Sequence, residues 1–306
     1  MAQRIILDTD IGTDVDDAYA LAFLVNCPEV EIEAVTTVWV DPKLRARIAR
    51  KLLNLLGRPD IPVAAGESMP LNPERHAFLM GHEGRGVFDG DEELSLPDTP
   101  AAAVIESLLR KYPHEIKVLL IGPQTNLGKL LSQKPELAAL IKEFVIMGGL
   151  PFYGPKEMER FGEKPVDFNF VSDPEAARIV FDSHTPITMV GVNVTMPTLL
   201  RRGQIELVGK RATPATDLLY AMTMEWLKII GQKETPMHDP LAVMAAFSLD
   251  FLDTMKLNVA IETKGELTAG LTVVNRCDNE EWNRVRVAVD VRSDDFIEFM
   301  LHRILA

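Results

Sequence analysis

Five aspartates fall within ten residues near the start of the chain: Asp8, Asp10, Asp14, Asp16 and Asp17. Carboxylates this close repel one another unless a cation joins them or some keep their protons. Aspartate also favours helix N-termini, where its side chain caps free amides, but capping accounts for one or two of the five. The density therefore points to a metal or catalytic site. Every candidate ligand is an oxygen and no cysteine lies nearby, which favours Ca²⁺ or Mg²⁺ over Zn²⁺. The spacing begins like a calcium-binding EF-hand loop and then departs from it. Gly12 comes one position early, and Tyr19 stands where the closing glutamate belongs.

Other residues could add to such a site. In His238-Asp239-Pro240, Asp239 is either an N-cap before Pro240 or half of a chemical pair. Asp167-Phe168-Asn169 lies in an irregular stretch just before a well-marked helix. His82 sits in a glycine-rich loop, where solvated histidines are common. Trp226 lies at helical spacing from Leu219 and Ile230, a spacing typical of core packing. The basic run Arg45, Arg47, Arg50 and Lys51 reads as a solvated helix face.

The elements that must position these groups alternate. Ile5 to Leu7 is a short apolar strand running into Asp8-Thr9-Asp10, and Asp16 and Asp17 open a helix through Leu24. Strands follow at Ile32 to Val38, Ile116 to Ile121, Phe144 to Met147 and Ile187 to Val190. Helices are expected at Leu44 to Leu56, Ala101 to Arg110, from about Asn126, from Asp173-Pro174, over Thr216 to Ile230 and from Asp239-Pro240. Gly66 to Pro97 and Leu150 to Phe170 read as irregular, and long irregular stretches in compact domains are commonly functional. Near the C-terminus come strands at Leu257 to Ile261, Leu271 to Val274 and Val285 to Val289, then a closing helix after Ser293. The pattern predicts an α/β fold over residues 1–306 as one domain. Its sheet is open, mostly parallel and doubly wound, with helices on both faces and a small antiparallel C-terminal element. The Asp cluster, Gly122-Pro123 and Gly148-Gly149 all fall at carboxyl ends of predicted strands, the rim where open α/β sheets bind ligands.

Composition narrows the function. The chain has 306 residues, 47% of them hydrophobic, and a formal net charge of −13. So acidic a surface repels phosphate backbones, so nucleic acid is not an expected partner. Cys27 and Cys277 are too few for a disulfide framework, no signal peptide is legible, and no apolar run would span a bilayer. The expectation is a soluble cytoplasmic protein with no membrane partner.

Together these motifs resemble the nucleoside hydrolase family, of the inosine-uridine preferring type, along essentially the whole chain. Ile-Ile-Leu-Asp-Thr-Asp-Ile-Gly at 5–12, with Asp-Asp-Ala at 16–18, is similar to the family's signature. Ala34-Val35-Thr36-Thr37-Val38, Gly122-Pro123-Gln124-Thr125-Asn126, Val145-Ile146-Met147-Gly148-Gly149, Asp167-Phe168-Asn169, Asp173-Pro174-Glu175-Ala176-Ala177 and His238-Asp239-Pro240 follow in the family's order. The resemblance implies hydrolysis of a nucleoside's N-glycosidic bond to ribose and free base, with Ca²⁺ as cofactor. It assigns Asp10, Asp17 and Asp239 as metal ligands, together with the Ile121 carbonyl. Asp10 would also take a proton from a water held by the ion. Asp16 and Asn169 would bind ribose hydroxyls, and His238 would protonate the leaving base. Asp41, His82, Asp167 and Trp226 complete the expected substrate contacts, and a homo-oligomer, dimer or tetramer, is the expected assembly. A cation that orients water, with carboxylates beside an oxocarbenium-like transition state, is chemically consistent with this reading.

The chain departs from the family pattern at three places. Two extra residues separate Asp10 from the Asp-Asp pair, so Asp14 is a further metal or sugar ligand candidate. Asp41 stands where the family often has Asn, and Asp167 where it often has Glu. Two competing readings are a haloacid dehalogenase-type phosphatase, which also places Asp-x-Asp after its first strand, and a non-catalytic Ca²⁺-dependent sugar- or nucleoside-binding protein on the same fold. Phosphate release from a generic phosphomonoester would mark the first, and ribose binding without turnover the second.

Overall fold

The computed structural model describes residues 2–88, 94, 96–152, 167–275 and 282–306. Cys277 and most of the irregular stretch 150–170 lie outside the described residues.

The apolar run after Gln3 becomes strand β1 (Gln3–Thr9), whose side chains feed two cores in alternation. Ile5 and Leu7 point into one and Ile6 into the other. The same alternation recurs in β4 (Ile116–Leu120) and β5 (Glu143–Met147), which makes them central strands covered on both faces. With β2 (Val30–Thr37), β3 (Val63–Ala65), β6 (Ile187–Val190), β9 (Leu252–Ile261), β10 (Thr272–Asn275) and β11 (Asn283–Val291), they form a nine-stranded sheet among the described residues. Its order is β10-β9-β11-β6-β5-β4-β1-β2-β3. Pairing is parallel from β3 through β11, and β9 joins β11 and β10 antiparallel. The fold is thus the doubly wound α/β sheet expected, with its antiparallel element at the C-terminal side.

On one face lie α1 (Asp16–Val25), α2 (Pro42–Leu55), α9 (Pro214–Ile230), α10 (His238–Ala245) and α11 (Ser293–Leu305). On the other lie α3 (Ala101–Lys111), α4 (Thr125–Gln133) and α6 (Pro174–Asp182). Helix α1 is buried along nearly its whole length, from Asp16 to Leu24, so its apolar residues need no polar face. Pro at the first turn opens α2, α6 and α9, and Gly231 in the left-handed conformation closes α9.

Several elements carry no strong periodic signal. These are the three-residue β3, the one-turn helix α7 (Val192–Thr195), the polar helix α8 (Arg202–Arg211), and the two-residue strands β7 (Leu199–Leu200) and β8 (Thr235–Pro236). A short helix α5 (Phe168–Ser172) also forms inside the stretch expected to be irregular, because Asp167 caps it by accepting from Phe170 N. No helix among the described residues is long and apolar enough to cross a membrane.

Candidate active site

The order in which strands are added switches sides about β1: β2 and β3 lie on one side of it and β4 on the other, all parallel to it. Such a switch point opens a crevice at the strands' carboxyl ends, and the loops after β1 and β4 carry Asp10 and Ile121 to it. A cavity of about 470 Å³ lies there, lined by Asp10, Asp14, Asp16, Asp17, Ile121, Asp167, Asn169, Trp226, His238 and Asp239. Its apolar wall includes Phe78, Met80, Leu150, Phe168, Val192 and Met196.

The Asp loop is built for exposure of carboxylates within a buried site. Gly12 turns it at φ +114°, and a Cβ there would stand 2.5 Å from Ile48 Cδ1. Thr9 Oγ1 accepts from Ile11 N at 3.0 Å and donates to Asp17. The N-cap position of α1 is Val15, with no side-chain cap, so helix capping does not account for the aspartates. Instead Asp239 N donates to Asp16 Oδ2 at 3.1 Å, joining the starts of α10 and α1. Ligand oxygens of Asp14, Asp16 and Asp17 lie within 4.8 Å of one another.

Burial raises the carboxyl pKa values of Asp10, Asp16, Asp17 and Asp239, and repulsion among the cluster adds to the rise. Asp10 reaches about 7 even though Arg45 lowers it. A set of hard oxygen donors that form no salt bridge among the described residues, with Arg45 only partly offsetting their charge, fits a hard divalent cation.

Arg45 is the main departure from the sequence reading. It does not lie on a solvated face: it is 1% exposed. Its Nε donates to Trp39 O at 2.9 Å, its Nη1 to the carbonyls of Asp10 and Ile11, and its Nη2 to Thr13 Oγ1 at 3.0 Å. The signal was available, since Arg45 shares a helical stripe with the buried Ile48, Ala49 and Leu52.

The other candidates separate. Asn169 Nδ2 donates to Ile121 O at 3.0 Å and Met147 O at 3.2 Å, tying together the ends of β4 and β5. Asp167 lines the cavity, but its carboxylate is held by Gly149 N at 2.6 Å and Phe170 N; burial lifts its pKa to about 6 against those bonds. His238 Nδ1 lies 2.6 Å from Thr195 Oγ1. Burial lowers the His238 pKa and Asp14 opposes this. Trp226 is half-buried rather than core, and its Nε1 donates to Thr235 Oγ1 at 3.1 Å. His82 lies in a small adjoining crevice, stacked on Trp226 with ring centroids 5.8 Å apart, and its Nε2 donates to Thr13 O. Asp41 is not among the residues that line the cavity. Its carboxylate caps α2 by accepting from Leu44 N at 2.9 Å. Arg45, Thr195, Phe78, Met80 and Met196 were not among the expected site residues.

The family described as inosine-uridine preferring nucleoside hydrolase matches residues 5–298. The pyrimidine-specific ribonucleoside hydrolase RihA of Salmonella paratyphi A is 32% identical over 318 residues, spanning 99% of each chain. The protein of the same name from Klebsiella pneumoniae is 31% identical over 324 residues, again spanning 99% of each. Among solved structures, a plant nucleoside hydrolase superposes with a TM-score of 0.86 at 26% identity over 100% of both chains. A purine-preferring ribonucleoside hydrolase from Gardnerella vaginalis gives 0.85 at 28% identity, covering 99% of this chain and 98% of its own.

Proposed function

The chain belongs to the inosine-uridine preferring nucleoside hydrolase family, enzymes that hydrolyse the N-glycosidic bond of ribonucleosides, and from that premise we propose a Ca²⁺-dependent reaction in which Asp10 is the general base. The observation that carries this reading is the meeting of Asp10, Asp17, Asp239 and the Ile121 residue with Asn169 and His238 around one cavity. Asp10, Asp17, Asp239 and the Ile121 carbonyl would hold the ion, with Asp14 as a further ligand. When bound, Ca²⁺ supplies charge that lowers the pKa of water and fixes the sugar's orientation. A ligand-rich, all-oxygen loop suits Ca²⁺ better than Mg²⁺, which keeps more of its own water.

Asp10 accepts the proton of the attacking water. Asp16 and Asn169 take ribose hydroxyls, with Asp167 behind them ordering Gly149 and Phe170. The buried carboxylates stabilise positive charge as it grows on the sugar. His238 donates a hydrogen bond to the departing base, while Trp226 and the apolar wall exclude water around it. The same reading places the enzyme in the cytoplasm as a homo-oligomer, in keeping with its buried free Cys27 and its exposed Leu207 and Met224. The test is a panel of purine and pyrimidine nucleosides assayed for ribose release with Ca²⁺ and with a chelator. Chelator-sensitive release supports the proposal, and ribose binding without turnover of any nucleoside overturns it.

A further inference from the structure

Thr195 has no place in the reaction as described, yet it makes a short side-chain contact with His238. Its Oγ1 lies 2.6 Å from His238 Nδ1, and it is 0% exposed. Two backbone ties hold the pair in register. Met237 N, one residue before His238, donates to Thr198 O at 2.8 Å, three residues after Thr195. Strands β7 and β8 then pair Leu199 with Pro236 and Leu200 with Thr235. The Trp226 indole bonds to Thr235 and so braces the same clip.

The direction of the bond follows from accounting for hydrogens. A buried hydroxyl must place its hydrogen on an acceptor. Among the described residues, His238 Nδ1 is the only partner of Thr195 Oγ1. The hydrogen therefore goes to Nδ1, which must be the bare nitrogen of a neutral imidazole. The other ring nitrogen then carries the hydrogen, on the edge of the ring left for the cavity that His238 lines.

We propose that Thr195 is a positioning residue: its hydroxyl locks His238 in the Nε2–H tautomer, so that the site offers the leaving base a donor and never an acceptor. This rests on the proposed donor role of His238. It adds to that role the group that decides which nitrogen carries the hydrogen, and it places that group on α7, whose Val192 also lines the cavity wall.

The experiment pairs nitrogen NMR of the imidazole with kinetics. In the wild-type enzyme His238 should show a bare Nδ1 and a protonated Nε2, an observation that needs no variant. Thr195→Val keeps the shape and removes the donor, so the two tautomers should mix. Turnover of uridine or inosine should then drop about five- to tenfold in kcat, the scale of one neutral hydrogen bond, with KM little changed. A nitrophenyl riboside, whose leaving group needs no proton, should keep its kcat, and Thr195→Ser should restore both spectrum and rate. A protonated Nδ1 in the wild type, or equal losses on both substrates, overturns the assignment. The control is His238→Ala. If it loses uridine turnover while Thr195→Val matches wild type, the inference about Thr195 alone fails. If His238→Ala turns over uridine normally, the donor role fails and takes the inference with it.

Discussion

Taking the metal-free protein from about pH 8 down to about pH 5 should raise its melting temperature, the reverse of ordinary acid destabilisation. The cause is burial of carboxylates with too few partners. Asp8 is lifted from 3.8 to about 7, chiefly by desolvation, and its Oδ2 has no hydrogen-bond partner among the described residues. Burial also lifts Asp10 to about 7 and Asp167 to about 6. When an acid's folded pKa exceeds its unfolded value, the native state holds more protons between the two. Stability is then greatest below the unfolded value and falls as pH rises through the window, here from about 4 to about 7. Between pH 8 and pH 5 about two of the three units of Asp8's rise are realised, worth roughly 3 kcal/mol. Unfolding 306 residues carries an entropy of about 0.6 kcal/mol/K, so one such group moves Tm by about 4 °C over that range. His238, held low by burial, works in the opposite sense, but it is one group against several. Carboxylates held low, as Glu106 is by Lys134, lose their contribution only below about pH 4.5. The assay is calorimetry across this range with a chelator, then again with Ca²⁺. The ion prefers deprotonated ligands, so it should raise Tm most at the alkaline end, by about 4 °C at a hundredfold excess over Kd. A metal-free Tm that stays flat or climbs between pH 5 and 8 would refute the reasoning.

Other perturbations probe single positions. Asp10→Asn should keep the fold by circular dichroism and lower kcat at least about 10²-fold, the scale of a positioned general base; unchanged turnover removes Asp10 from that role. Gly122→Ala would bring a Cβ within 2.8 Å of Asp10 Oδ1 and 2.9 Å of Asp10 N. It should displace the base and cost kcat about 10²-fold, while denaturant unfolding shows a folded protein. Asp41→Ala should cost about 1 kcal/mol of stability through the lost α2 cap, and Asp41→Asn almost nothing. A fall in kcat/KM for Asp41→Asn would instead return Asp41 to the sugar.

The strands that carry the site were legible because each is a short apolar run ending in residues that no core would tolerate. The carboxylates of β1 and the start of α1 were legible because five charges in ten residues have no inexpensive structural use. What escaped did so for identifiable reasons. Arg45 was hidden by its charge, which suggested solvent even though its helical position faces the core beside Ile48. Asp41 was aligned with the sugar site, although Asp41-Pro42 repeats the pattern of Asp173-Pro174. In both cases the side chain caps the following helix, accepting from Leu44 N and Ala176 N. Thr195 and the β7–β8 clip fall in elements of two to four residues, too short for any period to register. Phe78 and Met80 reach the cavity from a loop whose sequence carries no period at all.

The way Arg45 is bonded bears on how a cation held by the proposed site would come and go. Its guanidinium is spent on main-chain carbonyls and one hydroxyl, and among the described residues no ion pair engages Asp10, Asp14, Asp16, Asp17 or Asp239. An arriving cation therefore has no salt bridge to break before the carboxylates can turn to it. When the cation departs, the loop's path stays pinned by the same carbonyl bonds rather than by the ion. Exchange should then be paced by the shedding of water from the cation and not by refolding of the loop, so that a chelator empties the site quickly and leaves its shape behind.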